Sequence, residues 1–338
     1  MRHCIEITDI APGRTGSIVL ALAIMFFGCA ELPDGESATQ LGEKAATSGG
    51  QAFGSTFDED TCSYDMSDPY EPRSRFEWGP FEGECHDTFK RRPIVRLSGD
   101  EAEAFQDSAG HFVVANVYHD GAFWIAYVPR DAVEDVFFQL EYFPAIVPAG
   151  HTQLRVDFNQ PVSMYGQSDS NRGQFHETNY FVLSAEAVTR RGDKYDLFRG
   201  VQDHFAIALR VTTLEARYRS MVEDQGHRVE QWRLQLTEGE RHKVFAWYIG
   251  VSEEMALDSP YHTVSRNCTT EVVDLLDSIV SYTWRERIGR FLLKVTEFYP
   301  NVVRAALIAR GLLPLDQSTD WYELKDDPVI SELLSQSH

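Results

Sequence analysis

The chain predicts an α+β fold, an antiparallel sheet packed against a helix that begins at a cysteine, and three stretches carry that prediction. HFVVANVYH and AFWIAYVPR, residues 111–119 and 122–130, are apolar runs of strand length joined by Asp120 and Gly121, a two-residue hairpin signal. In HTQLRVDF, residues 151–158, Leu154, Val156 and Phe158 alternate with Arg155 and Asp157, the period of a half-buried strand. From Asn267 the period changes: Val272, Leu275, Leu276 and Ile279 recur at helical spacing behind a cap, with Cys268 in the first turn.

The 338 residues are 43% hydrophobic, enough for one sizeable core with a front extension. A formal charge of −21 argues against non-specific nucleic-acid binding and against attraction to anionic lipid. At the N-terminus, Arg14 precedes an apolar run, Ile18 to Phe27, too short to span a bilayer permanently. Gly28 and Cys29 follow directly, the small-residue-then-cysteine order of a bacterial lipoprotein cleavage site. Residues 1–28 are therefore expected to be a signal peptide and Cys29 a lipidated anchor facing the periplasm; the other reading is an ordinary secretory signal with Cys29 unmodified. Residues 29–75, rich in Gly, Ser, Thr, Asp and Glu, bury too little to order themselves and read as a tether. Cys62 and Cys85 are natural disulfide partners in an oxidising compartment, which leaves Cys268 as the odd thiol.

Residues 76–134 form a β-rich extension. IVRL, 94–97, is a strand, and the hairpin after it is apolar on both faces, with Phe112, Val114, Asn116 and Tyr118 on one and Val113, Ala115 and Val117 on the other. Such strands are sandwiched, so an extra sheet or barrel-like element packed on the later domain is expected. If it is instead a small ligand-binding module, Trp124 and Tyr127 are its first suspects. Residues 135–142 and 151–158 are strands, 161–178 a polar loop lying beside the site, and NYFVLSAEA a strand. A strand at 203–212, a helix in LEARYRSMVEDQ and a strand in QWRLQL follow. Thr237 and Glu240 make a capping box that opens a helix running to about Met255, and Pro260 ends that unit. Beyond the cysteine helix, RERIGRFLLKVTEF and NVVRAALIARGLL are amphipathic helices closed by Gly311 and Pro314, and 317–338 is a tail. No stretch after the signal reaches about eighteen apolar residues, so none is expected to span a membrane.

Cys268 stands where unpaired N–H groups and the helix dipole favour a thiolate and offer donors to an oxyanion. The competing reading is a small buried hydrophobe, since a catalytic cysteine needs a histidine that the fold must bring. The strand alternation puts His151 and Gln153 on the Arg155 side, with His151 at the strand's start, where a side chain can project into a cleft. Walker A, G-x-S-x-G, H-E-x-x-H and paired C-x-x-C patterns are absent, so no metal, no cofactor and no serine chemistry is expected.

Three segments, GHTQLRVDF (150–158), LSAEAVTRRGDKYDLFRG (183–200) and YHTVSRNCTT (261–270), stand in an order that resembles the N-terminal periplasmic domain of Lnb-type lipoprotein N-acyltransferases. The resemblance runs from about 135 to 316, where PNVVRAALIARGLL is similar to the family's closing helix. That domain looks like a circularly permuted NlpC/P60 (papain-like) fold in which the histidine strand precedes the cysteine helix. The resemblance implies a Cys268 nucleophile, a His151 base and Glu186 as the third member of a triad, with His176 as the alternative orienting group. It also implies support from Asn267, Tyr261 and the N–H groups of Cys268 and Thr269. The other role open to Glu186 is a salt bridge to Arg190 or Arg191. The implied reaction is acyl transfer through a Cys268 thioester, from a phospholipid to a lipoprotein amine, without a cofactor. A cysteine amidase acting on the cell wall is the alternative, distinguished by a polar open cleft where acyl transfer needs an apolar groove. A non-catalytic binding protein is the third, marked by a site blocked by the 161–178 loop or lacking an orienting acid.

Overall fold

Among the described residues, ten strands join a single sheet. They are β1 (Val95–Arg96), β2 (His111–His119), β3 (Ala122–Pro129), β4 (Val133–Tyr142), β5 (Gly150–Gly166), β6 (Phe175–Val188), β7 (Phe205–Thr213), β8 (Arg228–Arg233), β9 (Pro260–Tyr261) and β10 (Trp321–Glu323). The computed structural model describes residues 67–72, 81, 85–99, 110–143, 150–255, 257–284, 286–287, 300–314 and 321–336. The expected signal peptide, Cys29, Cys62 and most of the expected tether lie outside them.

The order β1-β2-β7-β6-β5-β4-β8-β10 is joined by β3, which pairs with both β2 and β5. Strands β2, β7, β6, β5 and β3 therefore close on themselves into a barrel-like ring, with β2 and β7 its parallel pair. The hairpin is thus not a separate extension: it closes the same sheet that carries His151. Asp120 and Gly121 both have positive φ (49° and 85°), as a type I′ turn requires. The two apolar faces of the hairpin are each covered. Val114, Trp124 and Ala126 join the main core, and Leu97, Val113, Ala115, Ile125 and Tyr127 form a second one, so Trp124 and Tyr127 pack rather than bind.

The expected alternation in β2 fails at Asn116, where the register with β3 shifts between Val114 and Val117. Asn116 sits at φ 67° in that bulge, which returns Val117 to the main core. Its N–H donates to Gln167 Oε1 at 2.8 Å, and its amide donates to the carbonyls of Tyr70 and Pro93. These bonds satisfy the polar groups that the bulge takes out of the ladder.

The expected loop at 161–178 is mostly strand. β5 runs on to Gly166 and β6 starts at Phe175, with Ser163 opposite Glu177 and Met164 opposite His176. Polar residues mask that alternation because one side of this hairpin faces water, while Val162 and Met164 face the core. The connection sits at the end of β5 opposite His151, so it does not lie beside the site.

Helices cover the apolar face. α1 (Leu214–Tyr218) is short, capped by Thr213, and continues as a π-helical turn, Arg219–Asp224. α2 (Glu238–Met255) opens where Thr237 N–H and Oγ1 both donate to Glu240 Oε2, at 2.9 and 2.8 Å. α3 (Cys268–Ile279) and α4 (Pro300–Ala309) follow. Val244, Phe245, Val272, Leu276 and Leu307 from these helices pack with Leu154, Val156, Phe181, Leu183 and Leu209 of the sheet. Each side chain of that size stabilises the fold by roughly 1.5–3 kcal/mol on burial.

The other face of β4, β5 and β8 is polar and still buried. Gln139 links Gln153 and Gln231 through side-chain amides at 2.8 and 3.0 Å, while Arg155 reaches Asp157 and Asp327. The expected C-terminal tail is part of the cover: β10 extends the sheet beside β8, and α5 (Pro328–Gln336) packs Ile330 with Leu324, Val229 and Leu214.

Candidate active site

Asn267 caps α3 as its side chain predicts. Oδ1 accepts from the N–H groups of Thr269 and Thr270 at 2.8 and 3.1 Å, Thr270 Oγ1 accepts from Asn267 N–H at 2.8 Å, and Asn267 Nδ2 donates to the Thr263 carbonyl at 2.7 Å. This cap uses the Thr269 N–H, one of the two expected oxyanion donors. Among the described residues the Cys268 N–H has no hydrogen-bond partner, so it is the donor the helix start offers.

Cys268 is the free cysteine of the described residues and only 6% exposed. His151, at the start of β5, lies close enough to act on it electrostatically. Burial alone would raise the thiol. The charge and hydrogen bond of His151, together with backbone and side-chain hydrogen bonds from Thr152, overcome that and bring it from 9.0 down to about 7. Burial pushes the His151 imidazole down, and the charge and hydrogen bond of Cys268 reverse the shift, so its pKa is raised on balance. Each group favours the charged form of the other, the arrangement of a thiolate–imidazolium pair.

Thr152 is the residue that sequence reasoning missed. Its Oγ1 also meets Thr269 Oγ1 at 3.2 Å, tying the histidine strand to the cysteine helix. The signal was present: strand alternation puts Thr152 on the Leu154 side, which faces α3.

Glu186 does not hydrogen-bond His151. Its Oε1 accepts from Ser184 Oγ at 3.0 Å, from Arg210 at 3.2 Å and from Arg217 at 3.3 Å, and its Oε2 pairs with Arg91 at 3.0 Å. The salt bridges expected to Arg190 or Arg191 are replaced by these three. Arg217 extends the cluster to Gln153 at 2.9 Å and to Glu141 at 3.3 Å, and Glu141 also holds His227 at 2.6 Å. Glu141 lies opposite His151 across β4 and β5, and both carboxylates act on the imidazole through charge. His151 Nε2 is buried and has no hydrogen-bond partner among the described residues. His176, the other expected orienting group, stacks on His119 instead.

Tyr261 is buried on β9 against Phe205 of β7, its ring 6.0 Å from Tyr195. Burial and the Cys268 charge hold its phenol well above the ordinary range, so it stays protonated. Nearby, the segments 195–201 and 262–266 meet: Thr263 N–H donates to the Gly200 carbonyl at 3.0 Å, and Tyr195 and Thr263 share a hydroxyl contact of 3.4 Å. A Cβ at Gly200 would come within 2.2 Å of Thr263 Oγ1, so glycine is what allows this approach. The two segments expose Tyr195, Phe198, Val201 and Val264, with Phe198 81% exposed.

Residues 122–296, a little over half of the chain, match the family model described as Lnb N-terminal periplasmic domain. The chain belongs to the Lnb N-terminal periplasmic domain family. The match begins at β3, earlier than the expected start near 135, in keeping with the place of the hairpin in the same sheet. Membership in the Lnb family places the domain in the cell envelope, on the periplasmic side. No curated protein and no solved structure matches the chain. No helix of the described residues is long and apolar enough to cross a membrane. Cys85 is disulfide-bonded, while its expected partner Cys62 lies outside the described residues.

The thiol has a direct test. Alkylation by iodoacetamide follows the thiolate, so its rate is expected to rise with pH through a midpoint of about 7. A midpoint near the ordinary value of 9.0 would remove the ion pair.

Proposed function

We propose that the chain is a periplasm-facing thiol acyltransferase, on a permuted NlpC/P60-like fold, that carries an acyl group on Cys268. The observation that supports this reading is the buried Cys268–His151 pair, together with the exposed Tyr195, Phe198, Val201 and Val264 where segment 195–201 meets segment 262–266, which leads into the cysteine helix. Water exclusion protects a thioester, and an apolar rim suits an acyl chain better than a cell-wall glycopeptide. The Cys268 thiolate attacks the ester carbonyl of a phospholipid, forming a C–S bond and breaking the C–O bond. His151 gives its proton to the departing lysophospholipid alcohol. An amine, such as the N-terminus of a diacylated lipoprotein, then attacks the thioester; His151 takes its proton, the amide forms and the thiolate is restored. The Cys268 N–H faces the oxyanion in both steps. Export, lipidation of Cys29 and a Cys62–Cys85 disulfide complete the reading and hold the domain at the membrane that supplies the donor.

The unpartnered His151 Nε2 is the mark of the non-catalytic alternative. Against it stands the way Cys268 and His151 each favour the charged form of the other, which a purely structural cysteine does not need.

Incubation of the purified chain with diacyl phospholipid, and separately with muropeptides, tests all three readings. Mass spectrometry is expected to find a hydroxylamine-labile acyl group on the Cys268 peptide after the lipid incubation alone. Cleaved muropeptides would favour the amidase, and no product from either, with an unreactive thiol, the binding protein.

A further inference from the structure

His119, His176 and Glu215 meet from three elements distant in sequence: the end of β2, the start of β6 and the first turn of α1. One ligand-competent atom from each, a ring nitrogen of either histidine and a carboxylate oxygen, lies within 4.8 Å of the other two. His119 and Glu215 are buried and His176 is half-buried, which leaves the approach from solvent at His176. The two rings stack with centroids 4.0 Å apart, and Trp124 meets His119 edge-on at 5.8 Å.

The surroundings are those of a metal's outer shell. His119 Nδ1 lies 2.8 Å from Thr213 Oγ1, which orients the ring and leaves Nε2 as its ligand atom. Arg219 pairs with Glu215 Oε1 at 2.7 Å and steadies the carboxylate. Asp120, next to His119, pairs with Arg219 at 2.8 Å and brings a further carboxylate beside the cluster.

We propose that His119, His176 and Glu215 are the protein ligands of a divalent transition-metal site, with zinc the ion that best suits them. Two imidazoles and a carboxylate form a donor set of borderline softness, and three protein ligands leave a fourth position for water. Tetrahedral zinc at roughly 2.0–2.1 Å from each donor sets the donors about 3.4 Å apart. Loading therefore draws together donors that lie within 4.8 Å of one another. The ion ties β2 to β6, which are not neighbours because β7 lies between them, and fixes both to α1. α1 also carries Arg217, the residue that spans Glu186 and Glu141.

The test compares two full-length proteins, one with native His176 and one carrying His176→Ala, both with Cys268→Ser so that the active-site thiol takes no metal. Each is stripped with a chelator and titrated with zinc chloride against a chromophoric zinc indicator. The protein with His176 is expected to bind one zinc more per chain than its partner, or the same zinc at least about tenfold more tightly. Its melting temperature is expected to rise with zinc where that of the His176→Ala protein does not. Equal uptake and equal thermal response in the two, or no uptake by either, overturns the assignment. Should His176→Ala fail to fold by circular dichroism, Glu215→Gln provides the same comparison.

Discussion

Replacement of His151 by alanine is expected to slow acylation of Cys268 by about 10²–10⁴-fold, the usual worth of a positioned general acid–base. Cys268→Ser is expected to abolish the thioester altogether. The physical reason lies in the two shifts: burial raises the thiol, and His151 supplies the largest opposing effect, so without the imidazole the Cys268 pKa climbs from about 7 toward its ordinary 9.0. Iodoacetamide alkylation reads this without any substrate. A His151→Ala protein whose alkylation midpoint stays near 7 would show that Thr152 and the helix start hold the thiolate unaided, and His151 would lose its role. The backbone contribution of Thr152 survives its own replacement, so Thr152→Ala is expected to move the midpoint less than His151→Ala does.

The parts of this site that sequence pattern reaches are those with a local signature. Asn267 reads as a cap because its side-chain oxygen accepts from N–H groups only two and three residues ahead, and Cys268 and the apolar stripe of α3 follow from it. His151 is legible as the first residue of an alternating strand. The closed sheet is not, because β3 meets β5 across a long separation in sequence, and nothing local at Trp124 to Tyr127 announces Ser163 to Gly166 as its partner. Alternation also misleads wherever a bulge resets it, as at Asn116, or where an outward face is polar enough to resemble a loop, as at Ser163 and Glu177. The cluster of Arg91, Arg210 and Arg217 has no sequence signal at all. The three arginines come from a loop, a strand and a short helix, and only the fold collects them on one carboxylate. The histidines at 119 and 176 fall outside every metal motif for the same reason.

Glu186→Gln is expected to destabilise the fold by about 3–5 kcal/mol, because it removes the carboxylate that compensates buried guanidinium groups. Glu186 is itself 7% exposed, and Arg210 has no other ion-pair partner among the described residues, whereas Arg217 keeps Glu141. Burial alone would raise the Glu186 carboxyl; the charges of Arg210, Arg217 and Arg91, with His151 after them, hold it well below its ordinary 4.5. A carboxylate depressed in the folded state contributes stability that is present above the unfolded pKa and is lost as pH falls through the folded one. The difference between wild type and Glu186→Gln, measured by urea unfolding, is therefore expected to be full at neutral pH and to shrink as pH drops below 4.5. The family resemblance implies instead that Glu186 orients the imidazole, and the same variant separates the two roles. Lost stability with an alkylation midpoint still close to 7 makes Glu186 the charge that holds three arginines together behind the site. Unchanged stability with a midpoint displaced toward 9.0 would return it to the triad, acting on His151 in a geometry that forms only when substrate is bound.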